Sequence, residues 1–414
     1  MIKIKSDILF FTDIHFGLRS DSIIRLDICK KIVTQIIEEL KNNKSIKNVI
    51  FLGDIFHSRS SLNVNTINIA INSIKDISKH AHVYLILGNH DIHYKNSADI
   101  HSVKIFEDIK NITVIDKPTI VNINDKEVLM VPWLGDLSGY KKEQFDMLMG
   151  HFDISSKYLI SSYIEEHSYQ DIPDVNYVIN KLINDDIIYD IENQSITNEE
   201  LNELLNNKNK KSSKYIGNFI DLCKKNGIIL SGHIHTRKEF KVKGRNFIFI
   251  GSPQEPNFGD INSSHGFYLY INNRFKFVKS EDIPKHIELK ISDINNKGID
   301  SFDFSICKNN IIKMIIDEKI DHVKHAEIMN RINDFKPLEE FPPEYQTSIC
   351  FSNNEEINLD KTHELIKKSK SDYIMSYIDS VNESDLKPNN IDKNKLYNIV
   401  MQYYIKTQNS IGDI

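Results

Sequence analysis

The sequence predicts a layered α/β fold, and three observations predict it. Five short apolar, β-rich runs recur along the chain: Ile8–Phe11, Val49–Leu52, Val83–Leu87, Met147–Met149 and Ile228–Leu230. Their length and the glycines that bound them fit buried strands. Each run closes on a polar cluster, and at 414 residues the chain exceeds one ordinary core, which predicts two or three domains.

The clusters, in chain order, are Asp13-Ile14-His15, Gly53-Asp54-Ile55-Phe56-His57, Gly88-Asn89-His90-Asp91, Gly150-His151 and Gly232-His233-Ile234-His235. Functional groups of layered α/β proteins collect at the carboxyl ends of strands, so these side chains are expected to converge on one rim. Taken singly, an Asp-x-His or a Gly-His pair is close to noise, because a lone histidine is more often core or surface than ligand. Five in order, each ending a strand, read together as a two-metal phosphoesterase site.

Two cations roughly 3.5–4 Å apart can clamp both the attacking and the leaving oxygen of a phosphodiester, provided a shared anion offsets their repulsion. Asp54 is the expected bridge. Alternate residues of an extended segment share a face, so Asp13 and His15 are expected to reach one metal together, and His233 and His235 to reach the site from the last strand. One metal is then assigned Asp13, His15, Asp54 and His235, the other Asp54, Asn89, His151 and His233. Mixed oxygen and imidazole ligands suit manganese, iron or zinc better than calcium. His90 is left to protonate or stabilise the leaving oxygen, with a metal-activated water as nucleophile. His80, His82, His93, His101, His167 and His265 lack such placement and read as ordinary.

On these motifs the chain resembles the calcineurin-like metallophosphoesterases and, within them, the SbcD-type (Mre-eleven-type) DNA repair nucleases. His57 ends the second cluster as in the nucleases' Gly-Asp-x-x-His, where protein phosphatases carry Asp followed by Arg. Gly88–Asn96, Asp116–Thr119, Pro132-Trp133, Gly251–Asp260 and His265-Gly266-Phe267 are similar to the recombination endonuclease subunits of T-even-like phages. The resemblance covers the first 275 residues well and the rest weakly.

It implies a four-layer core of two packed mixed β-sheets flanked by helices, a small α+β capping domain and C-terminal helices. The layout is 1–275 for the nuclease domain, with an insertion at about 155–225, 276–351 for the capping domain, 352–370 for a linker and 371–414 for ATPase-docking helices. His90 falls at the family's catalytic histidine and His57 where a histidine supports phosphate rotation and exonuclease activity. The resemblance further implies two Mn2+ ions, with Mg2+, Fe2+ or Zn2+ as substitutes. It implies 3′-to-5′ exonuclease activity on duplex ends and endonuclease activity on single strands, in double-strand break repair and recombination. The implied partners are DNA, an SMC-like (SbcC-type) ATPase and a second copy of the chain, met through Ser22–Leu40 and Val64–Lys79.

The remaining features are read from the residues. The net charge of −6 does not announce a nucleic-acid binder, yet a local basic surface can still contact phosphates. Arg237, Lys238, Lys241, Lys243 and Arg245 are the candidate DNA contacts, ahead of Lys208–Lys214, which reads as a solvated loop. Tyr373, Ile374, Tyr377 and Ile378, then Leu396, Val400 and Tyr403, recur at helical spacing beyond a polar stretch, as a pair of partner-docking helices would. Cys29, Cys223, Cys307 and Cys350 form no C-x-x-C pair, so reduced thiols are expected. Met1–Lys5 leads directly into the first strand, and no run of about 18 apolar residues occurs, so an intracellular protein of the cytoplasm or nucleoid is expected, in a host cell if viral. The competing readings are a phosphatase or small-molecule phosphodiesterase of the same fold, and a catalytically silent scaffold for the ATPase.

Overall fold

The computed structural model describes residues 1–154, 219–261, 263–318, 320 and 322–345. Outside them lie most of the 155–225 insertion with Lys208–Lys214, the 352–370 linker, and the 371–414 helices with Tyr373, Ile374, Tyr377, Ile378, Leu396, Val400 and Tyr403. The chain divides into two units, Met1–Ile315 with Ile320–Glu344, and Ile316–Lys319 with Tyr345–Ile414. The elements below belong to the first, bar the end residues Ile316 and Tyr345 of two strands.

Strands β1 (Ile2–Ile4) and β2 (Asp7–Phe11) open the chain, followed by α1 (Ile23–Asn42), β3 (Ile46–Phe51), α2 (Val64–Ser78) and β4 (His82–Ile86). A hairpin of β5 (Ile92–Tyr94) and β6 (Ser97–His101) precedes β7 (Ile112–Ile115), β8 (Thr119–Ile123), β9 (Lys126–Val131) and β10 (Phe145–Gly150). Next come β11 (Cys223–Ser231), β12 (Lys238–Val242), β13 (Arg245–Phe249), β14 (Gly266–Ile271) and β15 (Arg274–Lys279). A small module follows: β16 (His286–Lys290), α3 (Ile291–Lys297), β17 (Ile311–Ile316), α4 (His322–Asp334) and β18 (Glu339–Tyr345).

Two large mixed sheets result, in the orders β1-β8-β9-β10-β11-β13-β12 and β15-β14-β2-β3-β4-β7. In the second sheet β2, β3, β4 and β7 run parallel, and in the first β9, β10, β11 and β13 do. The strand period of two explains why the runs are apolar throughout. Along β2, Ile8 and Phe10 enter an inter-sheet core with Ile50, Tyr84, Met130, Met149, Leu230 and Tyr268, while Leu9 and Phe11 face α1 and α2 through Leu26, Ile32, Ala70 and Ile74. The outer face of the first sheet carries Leu129, Leu148, Ile229 and Phe247, packed among the described residues against Phe152, Phe219 and Leu222.

Local chemistry sets the element ends. Asn63 caps α2 by accepting from the Asn65 amide at 2.8 Å. Asn272 and Asn273, both left-handed (φ 50° and 62°), close the β14–β15 hairpin as a twisted two-residue turn requires. That hairpin carries the second sheet to Lys279, just past the expected boundary at 275. Glu339–Tyr345, with two prolines, forms β18, an edge strand beside β17, where prolines without N–H groups are tolerated.

Phe51 is fully buried, its ring edge-on to Phe11 at 4.4 Å between centroids. Phe51→Ala is expected to cost about 3–5 kcal/mol in urea denaturation. A loss below about 1 kcal/mol would contradict the packing described.

Candidate metal centre

Because β2, β3 and β4 are parallel neighbours, Asp13, Asp54 and Asn89 leave one edge of the second sheet together. β10 and β11 deliver His151 and His233 from the first sheet in the same way. The sheets are stacked, so the two edges meet.

The chain turns sharply at this rim. Asp13 (φ 50°), His15 (φ 50°), Asp54 (φ 60°) and His233 (φ 83°) all adopt the left-handed conformation, which non-glycine residues hold at a cost and mostly at functional sites. The expected extended geometry is therefore corrected: Asp13 and His15 share the site because the chain curls after Phe11, and His233 and His235 lie in a turn beyond the end of β11. The loops after β2 and β3 are zipped together by Asp13 N to Gly53 O (3.0 Å), His15 N to Asp54 O (3.2 Å) and Phe16 N to Ile55 O (2.8 Å). Gly88 must be glycine, since a Cβ there would overlap the Asp54 carboxylate and amide.

Asp54 Oδ2 is the common point. It lies 3.7 Å from His15 Nε2, 3.4 Å from His151 Nε2 and 3.2 Å from the facing Asn89 amide atom. On one side His15 Nε2 is 3.1 Å from His235 Nε2 and 3.8 Å from Asp13 Oδ1. On the other, Asn89 Oδ1 is 2.8 Å from His151 Nε2 and 3.1 Å from His233 Nδ1. The seven expected ligands are thus brought together around Asp54.

This donor set fits cations. Carboxylate, amide and imidazole lone pairs converge with few hydrogens to separate them, and turning the Asn89 amide over would be favoured without an ion, since its oxygen would then accept from Arg59 Nη2 at 2.8 Å. Asp13–His15–His235 and Asp13–Asp54–His151 each bring their ligand atoms within 4.8 Å of one another. His15, His57 and His90 make a third such group.

Residues 6–237 match the family model for the calcineurin-like phosphoesterases. The chain belongs to that family. Members of the family are metal-dependent phosphoester hydrolases, and the cluster here offers ligand groups that could hold a pair of divalent ions. Exonuclease subunit 1 of Enterobacteria phage T4 is 27% identical over 267 residues, 64% of this chain and 64% of that protein. Putative phosphoesterase 244L of Invertebrate iridescent virus 6 is 29% identical over 131 residues, 31% of this chain and 43% of that protein. The chain therefore spans under two thirds of the length of these relatives. Among solved structures, an archaeal phosphodiesterase aligns with a TM-score of 0.30 at 12% identity, covering 66% of this chain and 99% of that one.

Around the ligands of this calcineurin-like phosphoesterase stand three carboxylates without a sequence-assigned role. Asp91, inside the third cluster, accepts from four backbone amides: Asp54 (2.8 Å), Ile55 (2.9 Å), Phe56 (3.3 Å) and Gly88 (2.9 Å). It thereby ties the β3 loop to the β4 loop. Asp153 lies 3.9 Å from His233 Nε2 and Asp260 lies 3.6 Å from His235 Nδ1, the ring nitrogens remote from the cluster. His151 Nδ1 donates to the Leu52 carbonyl at 2.8 Å. The Leu52 carbonyl fixes which nitrogen of the His151 ring faces the cluster, and the two carboxylates stand beside the outer nitrogens of His233 and His235. Asp153 stands two residues after His151, and Asp260 ends the Gly251–Asp260 stretch, but neither place in the sequence marks a partner for a histidine ring.

Burial penalises every charge here. Burial also lowers His151, but Asp54, the hydrogen bond to it and Asp13 outweigh burial and push the imidazole up to about 9. Asp54 is held well below the usual carboxylate range in spite of burial, chiefly by His151 and His15. His233 is pushed down to about 3 by burial and by the charge on His151. Asp91 is raised to about 7 by burial and by Asp54, against its amide donors.

The candidate DNA-contact run is not gathered into one exposed patch. It lies on the β12–β13 edge hairpin, whose alternation sends neighbours to opposite faces. Lys238 and Arg245 are buried, Arg245 donating to the Cys223 and Lys243 carbonyls. Arg237 is engaged by Glu239 (2.6 Å) and Tyr268 (2.7 Å) and lies over Phe277, while Lys241 is exposed. His265, read as ordinary, is a satisfied core residue, with ring contacts to the Ser252 and Asp260 carbonyls.

Asp91→Ala strands four buried amides, so a loss of about 2–4 kcal/mol of stability and roughly 10- to 100-fold in Mn2+ affinity is expected. Calorimetric Mn2+ titration checks it, and unchanged affinity would refute the bracing role. The raised pKa of His151 stabilises the metal-free fold fully below its unfolded value near 6.5, and that contribution is lost as pH climbs through about 9. Asp91, raised towards 7, favours the folded state at low pH and adds in the same direction. Metal-free chain should therefore lose on the order of 2 kcal/mol between pH 6.5 and 9, and saturating Mn2+ should flatten that slope. Thermal melts with EDTA and with Mn2+ test it; a flat EDTA profile would show that His151 holds no extra proton.

Proposed function

We propose that the chain is a DNA nuclease that hydrolyses phosphodiesters at a two-metal site. Asp13, His15, Asp54 and His235 would hold one ion, and Asp54, Asn89, His151 and His233 the other. When bound, the two ions, Mn2+ by preference over Mg2+, Fe2+ or Zn2+, would polarise the scissile phosphate and acidify the attacking water.

The chain's own groups do the rest. His90 donates from Nδ1 to the His57 carbonyl at 2.6 Å, which fixes the ring and leaves Nε2 for the leaving oxygen. The His57 and His90 rings stack at 5.5 Å between centroids and 17° between planes. Burial and His90 lower His57, so it stays neutral at pH 7 and can hydrogen-bond a phosphate oxygen without repelling its partner. The observation that carries the reading is this histidine pair beside a shared buried carboxylate, in a chain similar to a phage exonuclease subunit.

The finer assignments belong to the same proposal and rest on the resemblance to SbcD-type nucleases. They are 3′-to-5′ digestion of duplex ends, endonuclease action on single strands, an SMC-like ATPase partner, a homodimer, and a role in double-strand break repair and recombination. Among the described residues no helix is long and apolar enough to cross a membrane.

Purified chain with Mn2+ is expected to digest end-labelled duplex and single-stranded DNA, and Asp54→Ala and His90→Ala each to lose roughly 100-fold or more. If the wild type spares DNA yet hydrolyses bis(p-nitrophenyl) phosphate, the substrate is a different phosphoester.

A further inference from the structure

A cavity of about 300 Å³ opens beside the metal cluster, at the small end of the range for ligand sites. Trp133, Leu134, Phe152 and Phe219 line it, with Asp153 on the wall and His151 shared with the cluster. The Trp133 ring lies 5.2 Å from the His233 ring and 5.9 Å from the His151 ring, so the cavity begins where the second ligand group ends. The Trp133 backbone N–H donates to the Leu87 carbonyl at 2.9 Å, which ties the main chain beneath the indole to the loop carrying Asn89.

Leu134 next to it is 48% exposed and left-handed, with φ 60°. A leucine gains nothing locally from that conformation, and presenting its side chain to water costs again. Both features place an apolar group at the mouth of the cavity.

The chemistry of the walls selects the occupant. Apolar and aromatic surfaces accept a flat π-system by stacking. The ionisable groups on the described walls are His151, committed to the cluster, and Asp153, whose carboxylate repels phosphate and accepts from N–H edges. A flat group with an N–H edge, tethered to a phosphate held at the neighbouring cluster, is a nucleobase.

We propose that this cavity receives the base of the nucleotide next to the scissile phosphate; the inference rests on the nuclease reading above. A paired base reaches it only by leaving its stack, so the strand is single or frayed at that point. Stacking tolerates any base, so the pocket sets position along the strand with little sequence preference.

The test uses the full chain, Mn2+ and a labelled single-stranded oligonucleotide in which one abasic site is moved a nucleotide at a time. In the wild type one register of the abasic site should lower kcat/KM by roughly 5- to 150-fold. Trp133→Ala should cleave intact and abasic substrates of that register equally, and Trp133→Phe should restore part of the difference. Leu134→Glu, at an exposed position that does not threaten folding, should also shrink the ratio. Cleavage with no register-specific loss, or the same loss in the variants, overturns the pocket and leaves the nuclease standing. Failure to cut any oligonucleotide, with bis(p-nitrophenyl) phosphate still hydrolysed, overturns the nuclease reading and the pocket together.

Discussion

A single buried carboxylate, Asp54, is the constraint to which the rest of the rim answers. Only 2% of it is exposed, and an uncompensated charge at such depth costs several kcal/mol. Its Oδ1 accepts from the His90 amide at 2.8 Å, and its Oδ2 faces imidazoles from two sheets. The left-handed backbone that aims it is held by Asp91 through the amides of Asp54, Ile55 and Phe56. The absence of a side chain at Gly88 is what lets the two loops close on it. Remove that charge and the other six groups have nothing to converge upon.

The small module is joined to this rim by a second set of buried polar groups. Arg25, on α1 and 1% exposed, contacts Glu339 Oε2 (3.2 Å), His286 Nε2 (2.9 Å) and the Glu255 carbonyl (3.5 Å). Glu255 in turn accepts from the His286 amide. Arg19, in the left-handed turn after His15, also reaches Glu339 at 3.4 Å. Buried ion pairs of this kind contribute less to net stability than to fixing one arrangement over others. They set β16 and β18 at the far end of the loop that carries Asp13 and His15.

Much of this was legible in the sequence, for a physical reason. Metal ligands must be particular residue types, and strands ending at a rim must be apolar, so the two signals coincide at Asp13, Asp54, Asn89, His151 and His233. The apolar faces of Ser22–Leu40 and Val64–Lys79 likewise marked what fold as helices Ile23–Asn42 and Val64–Ser78. What the sequence hid depends on tertiary direction. Nothing local told that Asp13 and His15 sit in a left-handed curl, since aspartate and histidine carry no turn signature as strong as glycine's. Nor could composition reveal that Lys238 and Arg245 face inward, because an edge hairpin with alternating charges reads as solvated from either register. Asp153 and Asp260 act through histidines distant in the chain and announce themselves only when folded. The expected C-terminal helices and most of the expected insertion lie outside the described residues.

The His15–His235 contact joins residues 220 apart in sequence, and each ligand group draws side chains from both sheets. Closing so long a loop is entropically late, and contacts of such separation slow folding. The cluster can assemble only after both sheets have formed and docked, so nascent chain emerging from a ribosome has no metal site until the turn after β11 is free. An ion that binds the completed fold alone would pull the equilibrium toward it by mass action. A cation held there would therefore mark a chain whose two sheets are whole.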